Sequence, residues 1–435
     1  MNWFQRSGQP PREIANDPRA LRGDGDALAA SVTNFLTRTG LFDREYYLAA
    51  YPDVAKSGID PLHHFMRIGI QAGRSFTSIP AIAKLWREIL NEQQAPRVAH
   101  ALDNPSSYRA AIYVSSLGNF FMTEIAQILH AGFMDAGIAA QILTDKDQPA
   151  AEATHHIVVA PHEFFMLGQG RRFATEAFVS RAIMYATEQV QTAWFASSLA
   201  FLLRARAVAD LNEQTAAVLK KGGVRAFAIQ PGFTEAFTPF SAQRNLPAKG
   251  AFASLPEATR NFDVANPDFA ARPLDVLFLG TMSPKREKLL ADYAPRLAKL
   301  NTYLYATRRT RPIDQALNPT AAPEVTAALL QRARILLNIH RDDHSYFEWW
   351  RLMQAFWQKT LVVSEPCFPH SLYKPGVHYL AESTRHIPHL IDWLVRTNEG
   401  ATKAEDIRRQ AYATFIQHST AKAAAIALLQ AGDVA

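Results

Sequence analysis

Two polar residues at the ends of apolar runs in the C-terminal half of the sequence could contact a ligand. His340 follows residues 335–339, and Glu365 comes just after residues 361–363. Both runs are typical of buried strands, and the helical period between them predicts a right-handed crossover in a parallel sheet. Ligands of such sheets bind beyond the carboxyl ends of the strands. There His340 could contact a ligand, or it is a core histidine with satisfied hydrogen bonds. The Glu365 carboxylate could accept hydrogen bonds from ribose hydroxyls.

The sequence Gly-Thr-Met-Ser-Pro-Lys-Arg at residues 280–286 predicts a turn that binds a diphosphate. Gly280 lets a ligand approach the backbone next to Thr281, and the Ser-Pro pair marks the start of a helix. Lys285 and Arg286 place two cations in the first helical turn, where they oppose the helix dipole and favour a nearby anion. The alternative is a charged first turn that faces solvent.

The elements that must position these residues alternate between strand and helix. In the first half, strands are predicted at residues 110–116, 141–145, 155–163, 182–189 and 226–233, with helices at 120–136 and from 199 through 209 to 220. In the second half, strands are predicted at 274–280, 300–306, 335–339, 361–363 and 378–383. This alternation predicts an α/β fold with two parallel, Rossmann-like sheets.

The region from about Leu274 to Leu394 resembles the donor half of GT-B glycosyltransferases. The pattern N-I-H…F-E-W-W-R-L-x-Q-A…K-T-L-V-V-S-E-P, followed by Pro-Gly at 375–376, carries the resemblance. It is similar to the "glycosyl transferases group 1" type that is related to spore-maturation CgeB-like proteins. The resemblance implies two Rossmann-like domains that face a cleft and hold a nucleotide sugar. It also implies phosphate contacts from Lys285 and Arg286, and no metal at the adjacent acids Asp342 and Asp343.

One departure from the family pattern concerns two glutamates that many retaining GT-B enzymes carry eight positions apart. In this sequence those positions are Tyr346 and Gln354. The stereochemical outcome therefore stays open. Arg351, which shares a helix face with Glu348 and Gln354, completes the predicted donor-binding set.

Five polar residues near the strand ends of the first half are candidates for the acceptor side: Asn119, Glu124, His162, Glu163 and Glu188. Inverting transfer needs one general base for the acceptor hydroxyl, and His or Glu can serve. His162 and Glu163 are the predicted catalytic residues. The alternative for each is an ordinary polar loop residue.

The domain organisation follows from these elements. We predict an N-terminal helical region, an acceptor-side domain, a Pro-rich connection, a nucleotide-sugar domain and a helical tail, at residues 1–105, 106–235, 236–272, 273–400 and 401–435. Residues 1 to about 25 are predicted to be loose. Within the first region, the pattern F-D-x-E-Y-Y-L-x-x-Y-P-D-V resembles a small helical unit often attached to bacterial glycosyltransferases. Its aromatic residues are predicted to pack between helices that begin after Asp43 and Asp60.

Composition excludes several classes of protein. The net charge of +6 suits a phosphate-bearing ligand or an anionic membrane surface. Without a clustered basic patch, a charge of this size does not indicate a nucleic-acid-binding protein. A single cysteine, Cys367, excludes an internal disulfide framework. No G-x-G-x-x-G follows the first strand, and P-loop, H-E-x-x-H and G-x-S-x-G motifs are missing. These absences argue against nicotinamide enzymes, P-loop NTPases, zinc proteases and α/β-hydrolases.

The sequence therefore predicts a glycosyltransferase of the hexosyltransferase type that uses a nucleotide sugar, needs no cofactor or metal, and acts on a glycan, lipid-linked or protein acceptor. Bacterial surface polysaccharide or glycoconjugate synthesis is the expected setting. With no apolar segment of a leader or a spanning helix, a cytoplasmic location is expected, at the inner face of the membrane as an alternative. The alternative function is a degenerate, non-catalytic GT-B protein that binds a partner.

Overall fold

The computed structural model describes residues 25–90, 101–240, 245–264, 266–307 and 322–433. The predicted loose segment lies outside these residues, apart from its last position. By their contacts the described residues form two compact units. The first contains the residues up to Gln230 together with those from Ala425 onward, and the second runs from Pro231 to Ala424. The predicted domain boundaries stay predictions.

The first unit is built on a parallel sheet of six strands in the order β2-β1-β3-β4-β5-β6. The strands are β1 Arg109–Val114, β2 Ala139–Thr144, β3 His155–Val159, β4 Ala182–Ala186, β5 Ala207–Asp210 and β6 Ala226–Ala228. Helices of this unit follow the strands at Phe120–Asp135, Pro161–Phe164, Glu176–Val179, Ala193–Leu202 and Glu213–Lys221. The inner strands are buried along their length because helices cover both faces of a parallel sheet.

Two elements of the first sheet differ from the sequence prediction. The strand expected at residues 155–163 ends at Val159, and Pro161–Phe164 forms a helix. Residues 199–209 were expected to be helical, but the helix ends at Leu202 and β5 occupies Ala207–Asp210. This strand is buried and pairs with β4 and β6 on its two sides. Tertiary pairing thus overrides the helical propensity of an alanine-rich segment.

The second unit is built on a five-stranded parallel sheet in the order β11-β10-β9-β7-β8. The strands are β7 Leu274–Thr281, β8 Thr302–Thr307, β9 Ala333–Asn338, β10 Leu361–Ser364 and β11 Leu380–Ala381. Helices lie at Glu257–Arg260, Pro284–Leu297, Pro323–Arg332, Trp349–Trp357, Ile387–Arg396 and Asn398–His418. A last helix, Ala421–Asp433, begins in this unit and ends in the first.

The helix after β9 begins later than predicted. The change of apolar period suggested a start near Tyr346, whereas the helix begins at Trp349 with Glu348 as its N-cap. Tyr346 and Phe347 are buried in the preceding loop, where the Phe347 ring packs 4.4 Å from that of His370. These two buried aromatic residues belong to the loop, but in the sequence their spacing resembles that of a first helical turn.

The N-terminal region is helical, as predicted. Its helices are Gly25–Thr39, Arg44–Ala50, Pro52–Ser57, Pro61–His64 with a π-helical turn to Gly69, and Ile79–Leu90. Asp43 caps its helix by accepting the N–H of Tyr46 at 3.0 Å, and Asp60 accepts that of His63 at 2.9 Å. The rings of Tyr47 and Phe65 are buried 5.8 Å apart between the helices. The predicted fold class, two Rossmann-like parallel sheets with an N-terminal helical region, is confirmed.

Candidate active site

Glu365 lies at the carboxyl edge of the second sheet, directly after β10, and both of its carboxylate oxygens have partners. Oε1 accepts the backbone N–H of His340 at 2.8 Å, and Oε2 lies 2.7 Å from Nζ of Lys285. The Glu365 side chain is 8% exposed, so its charge depends on these two partners for compensation. The carboxylate therefore links the ends of β9 and β10 to the first turn of the helix Pro284–Leu297.

The ammonium group of Lys285 lies close to oxygen atoms of three other residues. Besides Glu365, its ammonium group donates to the carbonyl oxygen of Asp342 at 2.9 Å and lies 3.4 Å from the carboxylate of Asp343. The sequence indicated that a cation in this first helical turn would need an anion close by. In the structure the protein supplies two carboxylates, and an anionic ligand would exchange with them.

Arg286 has a different environment from its neighbour. It is buried, and it donates to the carbonyl oxygen of Ile339 at 2.9 Å and to that of Thr281 at 2.8 Å. Burial lowers the pKa of its guanidinium to about 10. A Cβ atom at Gly280 would lie 3.0 Å from Nη1 of Arg286, so this glycine makes room for the guanidinium. Arg286 thus braces the carboxyl ends of β7 and β9 from within.

An ion pair that the sequence did not reveal joins Glu348 to Arg351 in the first turn of the helix Trp349–Trp357. Nε of Arg351 lies 3.0 Å from Oε2 of Glu348, and its Nη1 donates to the carbonyl oxygen of Leu279 at 2.5 Å. Burial alone would raise the pKa of Glu348, but neighbouring positive charges, foremost that of Arg351, lower it. The signal in the sequence was an acid at the N-cap of a helix with a basic residue three positions later.

Cys367 is another residue of this edge that the sequence did not assign. Its Sγ lies 3.6 Å from Nε2 of His340 and 3.3 Å from Oγ of Ser364. Burial raises the pKa of the thiol to about 12, so it stays protonated. The predicted donor-binding residues lie at one edge of the sheet in two sets of contacts. Lys285, His340 and Glu365 form one set. Gly280, Thr281, Arg286 and Arg351 form the other, in which Glu348 lies between the two arginines.

In the first unit, Glu163 is held by Asn119. The backbone N–H of Asn119 donates to Oε2 at 2.9 Å, and its side-chain amide donates to Oε1. Gly118 lies against the same carboxylate, and a Cβ atom there would overlap Oε2. Burial raises the pKa of Glu163 to about 7, and the two hydrogen bonds from Asn119 oppose the rise without cancelling it. The short helix after β3 thus holds a buried carboxyl group whose pKa lies near neutral pH.

His162 brings a second acid into this cluster. Its Nε2 lies 3.6 Å from Glu188 and 4.0 Å from Glu163, and its ring packs edge-on against Trp194. Burial lowers the pKa of His162, which favours the neutral imidazole. Glu188 also accepts a hydrogen bond from the hydroxyl of Thr192 at 2.9 Å. The structure therefore joins four of the five predicted acceptor-side residues.

The fifth, Glu124, is buried in the helix Phe120–Asp135, for which Asn119 is the N-cap residue. Sequence reasoning also missed Asp210, the fully buried last residue of β5, because that strand was predicted as helix. Its carboxylate accepts the N–H of Asn212 at 2.7 Å, and burial raises its pKa well above the usual range. The signal in the sequence for this residue was an acid at the end of a short apolar run, which is typical of the carboxyl end of a buried strand.

Two further properties concern membranes and metals. Within the part of the chain that the structure describes, no helix combines the length and the apolar character needed to cross a bilayer. Across the same described ranges, no cluster of three or more His, Cys, Asp or Glu side chains is arranged to hold a metal ion.

Comparison with known proteins gives structural matches only. No family model matches the sequence, and none of the curated proteins matches it. HepE from Anabaena, solved in complex with UDP-glucose, is 11% identical, with 74% of this chain and 98% of that chain covered and a TM-score of 0.47. An α-glucosyltransferase, solved with UDP and a 13-mer DNA containing an HMU base, is 9% identical, with 76% and 100% covered and a TM-score of 0.47. A glycosyltransferase from Rickettsia africae is 12% identical, with 75% and 98% covered and a TM-score of 0.43. The chain is thus similar, at low identity, to solved glycosyltransferases.

Proposed function

We propose that this protein is a glycosyltransferase of the hexosyltransferase type and of the CgeB-like GT-B branch. It transfers a sugar from a nucleotide-sugar donor to a glycan, lipid-linked or protein acceptor. The observation that carries the proposal is the pair Lys285–Glu365 beside the N–H of His340 at the carboxyl edge of a parallel sheet. This is the edge at which open α/β sheets bind ligands, and the pair offers a cation for a diphosphate beside a carboxylate for ribose hydroxyls.

The donor contacts follow from the chemistry of the pair. When a diphosphate approaches Lys285, its oxygens replace those of Asp342, Asp343 and Glu365 around the ammonium group. The Glu365 carboxylate then accepts hydrogen bonds from a pair of hydroxyls, which restores its partners. Arg286 keeps its backbone contacts throughout and holds the two strand ends at a fixed distance.

The general base in this proposal is Glu163 of the first unit. A pKa of about 7 leaves a substantial fraction ionised at neutral pH and makes the carboxylate basic enough to accept a hydroxyl proton. As the acceptor oxygen bonds to the anomeric carbon, its proton passes to Glu163. The bond from that carbon to the diphosphate breaks, and the diphosphate leaves with the electron pair. His162, neutral and next to Glu188, orients the acceptor hydroxyl.

The test is donor turnover on a panel of nucleotide sugars, measured as release of nucleoside diphosphate from the full-length protein. We expect release with one donor class, and its loss in Glu163→Gln with donor affinity unchanged. Donor binding without release across the whole panel, or no binding at all, would instead favour the non-catalytic alternative.

A further inference from the structure

A surface groove of about 620 Å³ lies in the second unit, lined by Glu382, Arg385, His386, His389, Leu390 and Trp393. It follows the loop after β11 and the outer face of the helix Ile387–Arg396. None of the predicted donor-binding residues lines it. The sheet edge that carries the predicted donor-binding residues is nevertheless near, because the N–H of Glu382 donates to the carbonyl oxygen of Ser364 at 3.0 Å.

The single carboxylate of the groove already has partners. An oxygen of Glu382 accepts the N–H of Ser383 at 2.7 Å and lies 3.7 Å from Nδ1 of His386. The hydrogen bond from Ser383, foremost, lowers the pKa of Glu382, so the group is ionised at neutral pH. One oxygen of Glu382 is thus engaged, and the negative charge of the group disfavours a dianion such as a phosphate monoester.

Hydrogen-bond donors of the groove, by contrast, outnumber its acceptors. Nε2 of His389 lies 3.2 Å from Nη2 of Arg296, and because a guanidinium can only donate, Nε2 accepts and the ring proton is on Nδ1. The guanidinium of Arg385 is exposed and has no hydrogen-bond or ion-pair partner in the described part of the chain. Arg385 therefore favours a ligand that supplies acceptors.

The apolar side of the groove is formed by Trp393 and Leu390. Both are half-buried against the core of the second sheet, which fixes their position. The indole N–H of Trp393 has no partner among the described residues either. A flat ring with a donor at its rim, next to a planar guanidinium, suits a ligand with one apolar face and several oxygens.

We propose that this groove is a binding site for an acidic saccharide, with a uronate residue as the recognised unit. The ring of Trp393 packs against the apolar face of the sugar, and Arg385 binds its carboxylate through two parallel hydrogen bonds. A monoanionic carboxylate fits better than a phosphate, since one unpaired guanidinium must outweigh the repulsion from Glu382. The site is separate from the proposed donor site and does not depend on transferase activity.

The test is isothermal titration of the full-length protein with a galacturonic acid oligomer, and with a neutral maltose oligomer of equal length. We expect the acidic oligomer to bind and the neutral one to bind at least about tenfold more weakly. Arg385→Ala should weaken binding of the acidic oligomer by about tenfold, the equivalent of ~1.4 kcal/mol. Lys403→Ala, which removes an exposed charge from the next helix, is the matched control and should change nothing.

Trp393→Ala could also loosen the packing of the helix. Its affinity for the acidic oligomer is therefore compared with that of Trp393→Phe, which keeps an aromatic face, after both variants are shown to have equal thermal stability. Retained binding in the Phe variant together with loss in the Ala variant supports the site. Equal affinity for both oligomers, an unchanged affinity in Arg385→Ala, or displacement of the oligomer by uridine diphosphate would each overturn the proposal.

Discussion

The ammonium nitrogen of Lys285 lies 2.7 Å from a carboxylate oxygen of Glu365. The two residues are 80 positions apart, and each was assigned from the sequence to a different part of the donor. Their pairing means that each neutralises the other while no donor is bound. In the proposed function, donor binding exchanges this ion pair for two new sets of hydrogen bonds, so the two residues cannot be tested independently with a whole nucleotide sugar.

Glu365→Gln separates the two contributions. The glutamine keeps an oxygen for the N–H of His340 but loses the charge that accepts hydrogen bonds from hydroxyls most strongly. We expect the affinity for a nucleoside diphosphate to fall by roughly 1.5–3 kcal/mol. The affinity for inorganic pyrophosphate, which has no ribose, should stay equal or rise because Lys285 is released. Calorimetry with both ligands checks this, and an equal loss for both would show that Glu365 acts only through Lys285.

Lys285→Ala and Arg286→Ala should differ in their effects on binding and stability, although the sequence assigned both residues to the diphosphate. Lys285 is partly exposed, but its loss leaves the buried Glu365 carboxylate with the His340 N–H as its remaining partner, so we expect weaker nucleoside diphosphate binding together with a loss of stability that Glu365→Gln relieves. Arg286→Ala removes the Arg286 donor from the buried carbonyl oxygen of Ile339, at a cost of roughly 1–3 kcal/mol, and from the part-buried carbonyl oxygen of Thr281, at a smaller cost.

Urea unfolding of both variants measures the difference. Arg286→Lys is the control for charge, since a single ammonium group cannot reproduce the two backbone contacts. An Arg286→Ala protein with the stability of the wild type and a weakened ligand would contradict the bracing role.

The pH dependence of Glu163 gives a prediction for stability and turnover together. The pKa of this acid is raised from 4.5 to about 7 in the folded state. Below 4.5 the group is protonated in both states and costs nothing. Between these two values it ionises in the unfolded chain first, so the folded state loses stability as pH rises and keeps that loss above 7. Glu163→Gln should therefore be more stable than the wild type at pH 8 and equal to it at pH 4.

Turnover should change in the opposite direction, because the ionised carboxylate is the base. We expect the wild-type rate to rise with pH, with a midpoint near 7, and the small residual rate of the variant to be independent of pH. A stability difference between the two proteins that is the same at both pH values would show that Glu163 has an ordinary pKa.

The sequence predicted well whatever depends on local pattern. His340, Glu365 and Lys285 follow apolar runs and a Ser-Pro helix start, and these signals lie within a few residues of each site. What depends on distant segments could not be predicted. The burial of Arg286 requires the carbonyl of Ile339, 53 positions away, and β5 is a strand only because β4 and β6 lie beside it.

Gly118 is the sharpest test of the cluster in the first unit, because it touches no substrate group in our proposal. Its α-carbon lies so close to Glu163 that an added Cβ would overlap Oε2 and lie 3.3 Å from Cβ of Ser115. In Gly118→Ala the carboxylate must move away from the N–H of Asn119. A displacement near 1 Å can cost a catalytic group about a hundredfold in rate, so we expect a fall of that order in kcat with KM for the donor unchanged. Combining the change with Glu163→Gln should cause no further loss, because the group it displaces is already inactive. Additive losses in the double variant would mean that Gly118 acts on the fold of the loop and not through Glu163.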